Sequence, residues 1–310
     1  MDKCKICGNC TGKRMKVKDR LLNEKYFNYF YCKKCGTIQL VDDVNVGDYY
    51  PDNYYSYITI NKRFFIPGII CKIALLICTN LHDLPFLLKK IFYRVFPMSM
   101  TLYQTNVRLD AKILDVGGGN GLMASWWGHS GFKNVMSIDP YTSHTPFTNI
   151  KFSNCTITDL NEENSFDLIT MFSSFEHMRN PVEVLRKAYR LLTDEGGVLI
   201  KIPVSESQAW KEYGEYWYQL DAPRHFFLYT ERAIRHLCKK TGFKLKWVNY
   251  HSDMNQFLKS KLYKETSWNI GKIQDYLKEM KKKEMKPYIK CSDNVEKIGL
   301  SDTAFFYLAK

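Results

Sequence analysis

The sequence has 310 residues, 45% of them hydrophobic and 25% charged, with a net charge of +13. That globular balance excludes a small fold needing disulfides for stability and leaves room for one large domain or two smaller ones. The basic excess suits anionic partners such as RNA, a membrane surface or a phosphate-bearing substrate, although the run Lys278, Lys281, Lys282, Lys283 and Lys286 also reads as a solvated helix face.

Residues 1–45 are rich in cysteine and lysine. The start, Met1-Asp2-Lys3-Cys4, is polar at once and has no signal-peptide pattern. The ten cysteines do not form an evenly spaced secretory framework, which predicts a reducing cytoplasm. Cys4-x2-Cys7 and Cys32-x2-Cys35 are two knuckles, each letting two thiolates reach one metal from a tight turn. Together they make a tetrahedral four-cysteine set with no open position, so a structural Zn2+ in a zinc-ribbon-like module is expected. Cys10 stands a C-x2-C step beyond Cys7, so the ligand set is not unique; the two matched pairs favour the first four. Phe27, Tyr29 and Tyr31 alternate like a strand entering the second knuckle, and Thr37 to Leu40 leave it. Cys71, Cys78, Cys155, Cys238 and Cys291 lie mostly in apolar contexts that suit core packing.

Residues 46–105 read as an aromatic and helical linker or lid, opening with a Tyr-rich joint, Tyr49-Tyr50-Pro51-Asp52-Asn53-Tyr54-Tyr55. The most apolar run, Phe64 to Cys78, is shorter than the roughly 20 residues a spanning helix needs and is interrupted by Pro67 and Lys72. Leu84 to Phe96, with Lys89, Lys90 and Arg94, suits a basic amphipathic helix. The two fit a helical lid over a pocket or a peripheral contact at the inner face of a membrane, the lid being favoured.

Residues 106–310 carry the strongest pattern. Buried strands are predicted at Lys112–Val116, Asn134–Asp139, Phe166–Met171 and Gly197–Pro203, with a helix over Pro181–Leu192. Strands alternating with helices imply an α/β fold, a parallel sheet with helices on both faces. The first strand runs into Gly117-Gly118-Gly119-Asn120-Gly121 and then a helical stretch from Leu122 to Trp127. Glycines let the backbone approach a ligand without a Cβ clash, and the helix N-terminus offers free N–H groups. Asp139 ends the second strand, where a carboxylate can take both ribose hydroxyls of a nucleoside.

The run Ile113-Leu114-Asp115-Val116-Gly117-Gly118-Gly119-Asn120-Gly121 with the distal Asp139 resembles the first two motifs of class I S-adenosylmethionine (SAM)-dependent methyltransferases, which have a Rossmann-like sheet. Phe166-Asp167-Leu168-Ile169 followed by Phe172-Ser173-Ser174-Phe175-Glu176-His177-Met178-Arg179-Asn180-Pro181 looks like that family's fourth strand and loop. Leu191 to Gly197 looks like the turn into the fifth strand, and Thr241-Gly242-Phe243 like the entry to the sixth. The likeness covers roughly residues 106–250, with a closing strand near Thr303–Leu308. It implies SAM as cofactor, with Asp115, Gly117, Gly119 and Gly121 framing its methionine end and Asp139 its ribose. Thr156 and Ile157 are implied at the adenine, with Asp159 as the other candidate, and Phe172 and Ser173 over the cofactor. Asn120 departs from the usual loop residue.

Beyond the fourth predicted strand come Glu206, several aromatics from Trp210 to Tyr218, and Asp221-Ala222-Pro223-Arg224-His225. Ligands of parallel sheets bind beyond the strand carboxyl ends, which puts these residues near the reacting methyl group. His225 is the candidate general base, Asp221 or Glu206 its orienter, and Arg224 a grip for a substrate phosphate. A basic helical insert is expected at about residues 253–290. The ribbon, Tyr-rich joint, core and Asp-x-Pro-Arg-His segment together resemble bacterial methyltransferases of surface-polysaccharide and sugar-modifying pathways. That implies a small-molecule or glycan acceptor, foremost a sugar hydroxyl. An RNA methyltransferase and a non-catalytic SAM-binding assembly protein remain the alternatives.

Overall fold

The computed structural model describes residues 2–22, 25–50, 104–266 and 268–310 together with Leu102. The joint beyond Tyr50, the expected helices between residues 64 and 96, and Cys71 and Cys78 lie outside the described residues.

The larger sheet is built on β4 (Lys112–Val116), β5 (Asn134–Ile138), β6 (Lys151–Ser153), β7 (Phe166–Phe172), β8 (Leu192–Pro203), β10 (Lys244–His251) and β11 (Thr303–Ala309). Its order is β10-β11-β8-β7-β4-β5-β6. The pairs from β8 to β6 are parallel, and β11 enters antiparallel between β8 and β10. Ile113, Leu114 and Val116 are all buried, the near-continuous apolar run of a strand covered on both faces. The helix Pro181–Leu191 buries Val184, Leu185, Ala188 and Leu191 on one stripe and begins with a proline whose missing N–H costs nothing there. The sheet is that of a Rossmann-like class I methyltransferase, in which the strand order reverses between β4 and β7. The loops leaving the carboxyl ends of these two strands diverge there and open a crevice.

β8 begins at Leu192 rather than at Gly197, because Leu192 zips onto Phe166 of β7 ahead of a register shift. The segment expected as a turn is therefore partly strand. The basic insert forms three helices, Asn255–Glu265, Ile270–Glu279 and Lys282–Lys297. Cys238 is buried as expected, but Cys291 is exposed, because it lies on the outer surface of the last of these helices. No helix among the described residues is long and apolar enough to cross a membrane.

The smaller sheet holds β1 (Gly12–Lys18), β2 (Tyr26–Cys32), β3 (Ile38–Leu40) and β9 (Phe227–Leu228), in the order β1-β2-β3-β9. Its last strand comes from the far half of the chain, with Ile38 paired to Leu228 and Gln39 to Phe227. The cysteine-rich segment is thus knitted into the larger body. One apolar cluster joins Ile6, Tyr29 and Ile38 to Phe227, Tyr229 and Ile202.

Candidate functional site

A cavity of about 370 Å³ opens in the crevice above β4 and β7, a volume within the range of small-ligand pockets. The glycine turn forms its floor. Gly117 has φ +70°, and a Cβ there would come within 2.6 Å of Ser174 Cβ, so only glycine lets the two loops meet. The Gly117 and Gly118 N–H groups donate to the Ile138 carbonyl at 2.8 and 3.2 Å, tying the turn to the end of β5. Gly119 N–H donates to Asp139 Oδ2 at 3.0 Å, and Tyr141 N–H donates to Oδ1 at 2.9 Å. Asp139 is buried at the cavity wall, pinned by both bonds before any ligand arrives. Asn120, the departure from the usual loop, is absorbed: its side-chain carbonyl accepts the Leu122 N–H at 3.2 Å at the start of the helix Leu122–Ser130.

Gly117, Gly119, Asp139, Thr156, Ile157 and Ser173 all line this cavity. Asp115, Gly121 and Phe172 do not. Asp115 lies behind the turn, accepting the Thr170 hydroxyl at 2.8 Å, and burial pushes its carboxyl up to about 7. Gly121 caps the helix with φ 85°. Phe172, expected over the cofactor, instead packs edge-on against Trp127 and Phe305 at 5.8 and 6.0 Å, because its strand register turns the ring into the second apolar cluster. Asp159, the other adenine candidate, spends its carboxylate on the Thr156 N–H and hydroxyl at 2.8 and 2.7 Å.

A second, more polar cavity of about 220 Å³ shares Ser173 with the first. Ser173 has φ 50°, a left-handed conformation uncommon for a non-glycine residue and frequent at functional sites. Its walls include Glu176, Lys201, Gln219, His225 and Asp253. His225 Nδ1 lies 2.7 Å from the Gln219 carbonyl and donates to it, leaving Nε2 4.0 Å from Glu176 Oε1. Burial lowers the His225 pKa against the pull of Asp221, which favours the neutral imidazole. His177 stands with its ring centroid 4.7 Å from that of His225; its Nδ1 meets the Arg224 carbonyl at 2.9 Å, and burial lowers its pKa to about 3. Glu176 is fully buried, which pushes its carboxyl up to about 8, and its Oε2 has no hydrogen-bond partner among the described residues.

Three expectations for this side are corrected. Arg224 is 1% exposed and faces neither cavity: Nη2 reaches Asp19 Oδ1 at 3.0 Å and Asp221 Oδ1 at 2.6 Å, and Nη1 donates to the Tyr49 carbonyl at 3.1 Å. A guanidinium buried on these partners and facing neither cavity is not placed to grip a substrate phosphate. Asp221 serves Arg224, so the orienter of His225 is the Gln219 carbonyl. Glu206 is also elsewhere, accepting the Glu231 N–H at 2.8 Å at the first turn of the helix Glu231–Thr241. Sequence reasoning passed over Glu176, His177 and Lys201. The available signals were an acid–histidine pair at a strand exit and one charge inside the apolar run Val198 to Pro203.

The sulfurs of Cys4, Cys7, Cys32 and Cys35 lie within 4.8 Å of one another, with Cys4–Cys35 at 3.6 Å and Cys7–Cys32 at 3.5 Å. Four thiolates 2.3 Å from a tetrahedral zinc stand about 3.8 Å apart, so the donor set fits that ion. Cys10 is exposed and outside this cluster.

The reversed strand order, the glycine turn at its crevice and the pinned acid at the next strand end define a class I SAM-dependent methyltransferase. The chain belongs to the methyltransferase-domain family, whose model matches residues 87–246, just over half of the chain. No curated protein matches the sequence. Among solved structures, a SAM-dependent methyltransferase of Thermotoga maritima is 17% identical, with 77% of this chain and 99% of that one covered and a TM-score of 0.45. One from Mesorhizobium loti is 13% identical, covering 68% and 97%, at 0.45. The 1,6-didemethyltoxoflavin-N1-methyltransferase of Burkholderia thailandensis is 16% identical, covering 61% and 85%, at 0.37.

Proposed function

We propose that the protein methylates a hydroxyl of a small-molecule or glycan acceptor, foremost a sugar of surface-polysaccharide or related biosynthesis. The observation that carries this reading is the polar cavity meeting the glycine-turn cavity at Ser173, with His225 on its wall. SAM, when bound, supplies an electrophilic methyl group on a sulfonium. Asp139 takes the ribose hydroxyls, Gly117 and Gly119 admit the methionine end, and Thr156 and Ile157 flank the adenine. Asp115 and Gly121 support the turn from behind.

The acceptor oxygen approaches from the second cavity beside Ser173. His225 Nε2 would take the proton of that hydroxyl as the oxygen receives the methyl group. The proton would end on the imidazole. Gln219 holds the ring in the tautomer this needs, because Nδ1 keeps the hydrogen. The four cysteines hold one structural Zn2+, and residues 1–45 act as a ribbon that braces the acceptor loop rather than as a separate domain.

Incubation with methyl-labelled SAM and a panel of nucleotide sugars, lipid-linked glycans and RNA tests the proposal. Label transferred to a sugar hydroxyl supports it. Label on RNA alone replaces the acceptor class, and SAM binding without transfer to any acceptor favours an assembly role.

A further inference from the structure

We propose that the acceptor carries an anionic group, a phosphate ester or a carboxylate, and that Lys201 is the residue that holds it in the second cavity. The inference rests on the reading of that cavity as the acceptor side.

Lys201 is the one charge in the buried run Val198-Leu199-Ile200-Lys201-Ile202-Pro203 of β8, between the fully buried Ile200 and Ile202. Lys201 lines the second cavity, and its ammonium lies 5.6 Å from the Phe305 ring, with no hydrogen bond or ion pair among the described residues. Its backbone carbonyl accepts the Ser173 N–H at 2.8 Å, which fixes the lysine beside the junction of the two cavities. Burial lowers its pKa, the loss of water outweighing the opposing pull of Asp253 and Glu176. A half-buried charge with no partner costs stability in the empty protein and is repaid by a ligand of opposite sign.

The groups facing it leave that role open. Glu176 and Asp253 are the acids that act on Lys201, and neither forms an ion pair with it. Asp253 is exposed and screened by solvent, and burial favours the neutral form of Glu176. His251 is engaged with Glu296 at 3.4 Å. A second desolvated cation, Lys259, sits 5.2 Å from the ring of Tyr218, which lines the same cavity. Arg224, the other cation of the neighbourhood, is locked to Asp19 and Asp221.

The test uses the full chain saturated with S-adenosylhomocysteine, titrated with inorganic phosphate and separately with acetate, against chloride at equal ionic strength. Two signals are read: the melting temperature, and the rate at which acetic anhydride acylates Lys201, followed by peptide mass spectrometry. One of the anions should raise the melting temperature and slow acylation of Lys201. Lys201→Gln should weaken that anion about tenfold or more, Lys201→Arg should retain it, and both should bind SAM like the wild type, which reports that they fold. Protection by phosphate alone points to a phosphate ester, and by acetate alone to a carboxylate. Protection by neither anion, or equal melting shifts in the wild type and Lys201→Gln, overturns the proposal. Failure of the wild type to bind SAM would instead remove the methyltransferase reading, while the anion signals stand separately.

Discussion

Arg224 and Asp19 are 205 residues apart in sequence, yet their side chains meet at 3.0 Å with exposures of 1% and 0%. This buried pair fastens the end of β1 to the loop that carries His225. Other bonds run alongside it: Tyr29 hydroxyl donates to the His225 carbonyl at 2.9 Å, and Thr230 hydroxyl donates to the Cys35 carbonyl at 2.6 Å. The loop that carries His225 is therefore held by the cysteine-rich segment as well as by the larger sheet.

Breaking this pair leaves a guanidinium buried beside a single acid. Asp19→Ala is expected to destabilise the protein by about 1–3 kcal/mol in urea unfolding, the cost of losing a hydrogen bond to a buried charge that keeps its second acid. A change under about 1 kcal/mol would show that the ribbon does not brace the loop.

Removing the metal should have a related effect. A chelator strong enough to strip zinc is expected to lower the melting temperature and to speed proteolysis of both residues 1–45 and the 217–230 loop, because the two share a sheet. Metal analysis finding no zinc in protein purified without chelators would contradict the assignment of Cys4, Cys7, Cys32 and Cys35.

Burial raises Glu176 from an ordinary 4.5 to about 8 and Asp302 from 3.8 to about 8. In the window between those ordinary and raised values the unfolded chain has released protons that the folded chain keeps. Stability from these groups is thus full below about pH 4 and falls as pH rises toward about 8. Glu176→Gln and Asp302→Asn should each flatten that fall in urea midpoints measured across the range. An unchanged slope in both variants would mean that these carboxyls are not held protonated.

His225→Ala is expected to slow turnover by about 10²- to 10⁴-fold with SAM affinity nearly unchanged, the range for loss of a positioned base. Turnover within a few-fold of wild type would reduce His225 to scaffolding, since aligned methyl transfer also proceeds by proximity alone.

The sheet was legible because parallel strands are buried on both faces and write themselves as short apolar runs; Lys112–Val116 is read and observed with the same bounds. That Gly117, Gly119 and Asp139 would line one cavity was legible for a similar reason. All three sit where a strand of the parallel sheet ends, a place that sequence order itself dictates. The surroundings of His225 were not, because their pairings span distant elements. Nothing in Asp221-Ala222-Pro223-Arg224-His225 says that Arg224 turns inward to Asp19, or that a carbonyl, Gln219, orients the histidine. β9 was equally hidden: two residues carry no periodicity, and Phe227–Leu228 becomes a strand only because β3 offers an open edge.

Asp139 and the turn that pins it are the centre of the proposed SAM site. Calorimetric titration of SAM into the wild type and Asp139→Ala is expected to show one site in the wild type and at least about tenfold weaker binding in the variant. Equal affinities, or no SAM binding to the wild type, would contradict it.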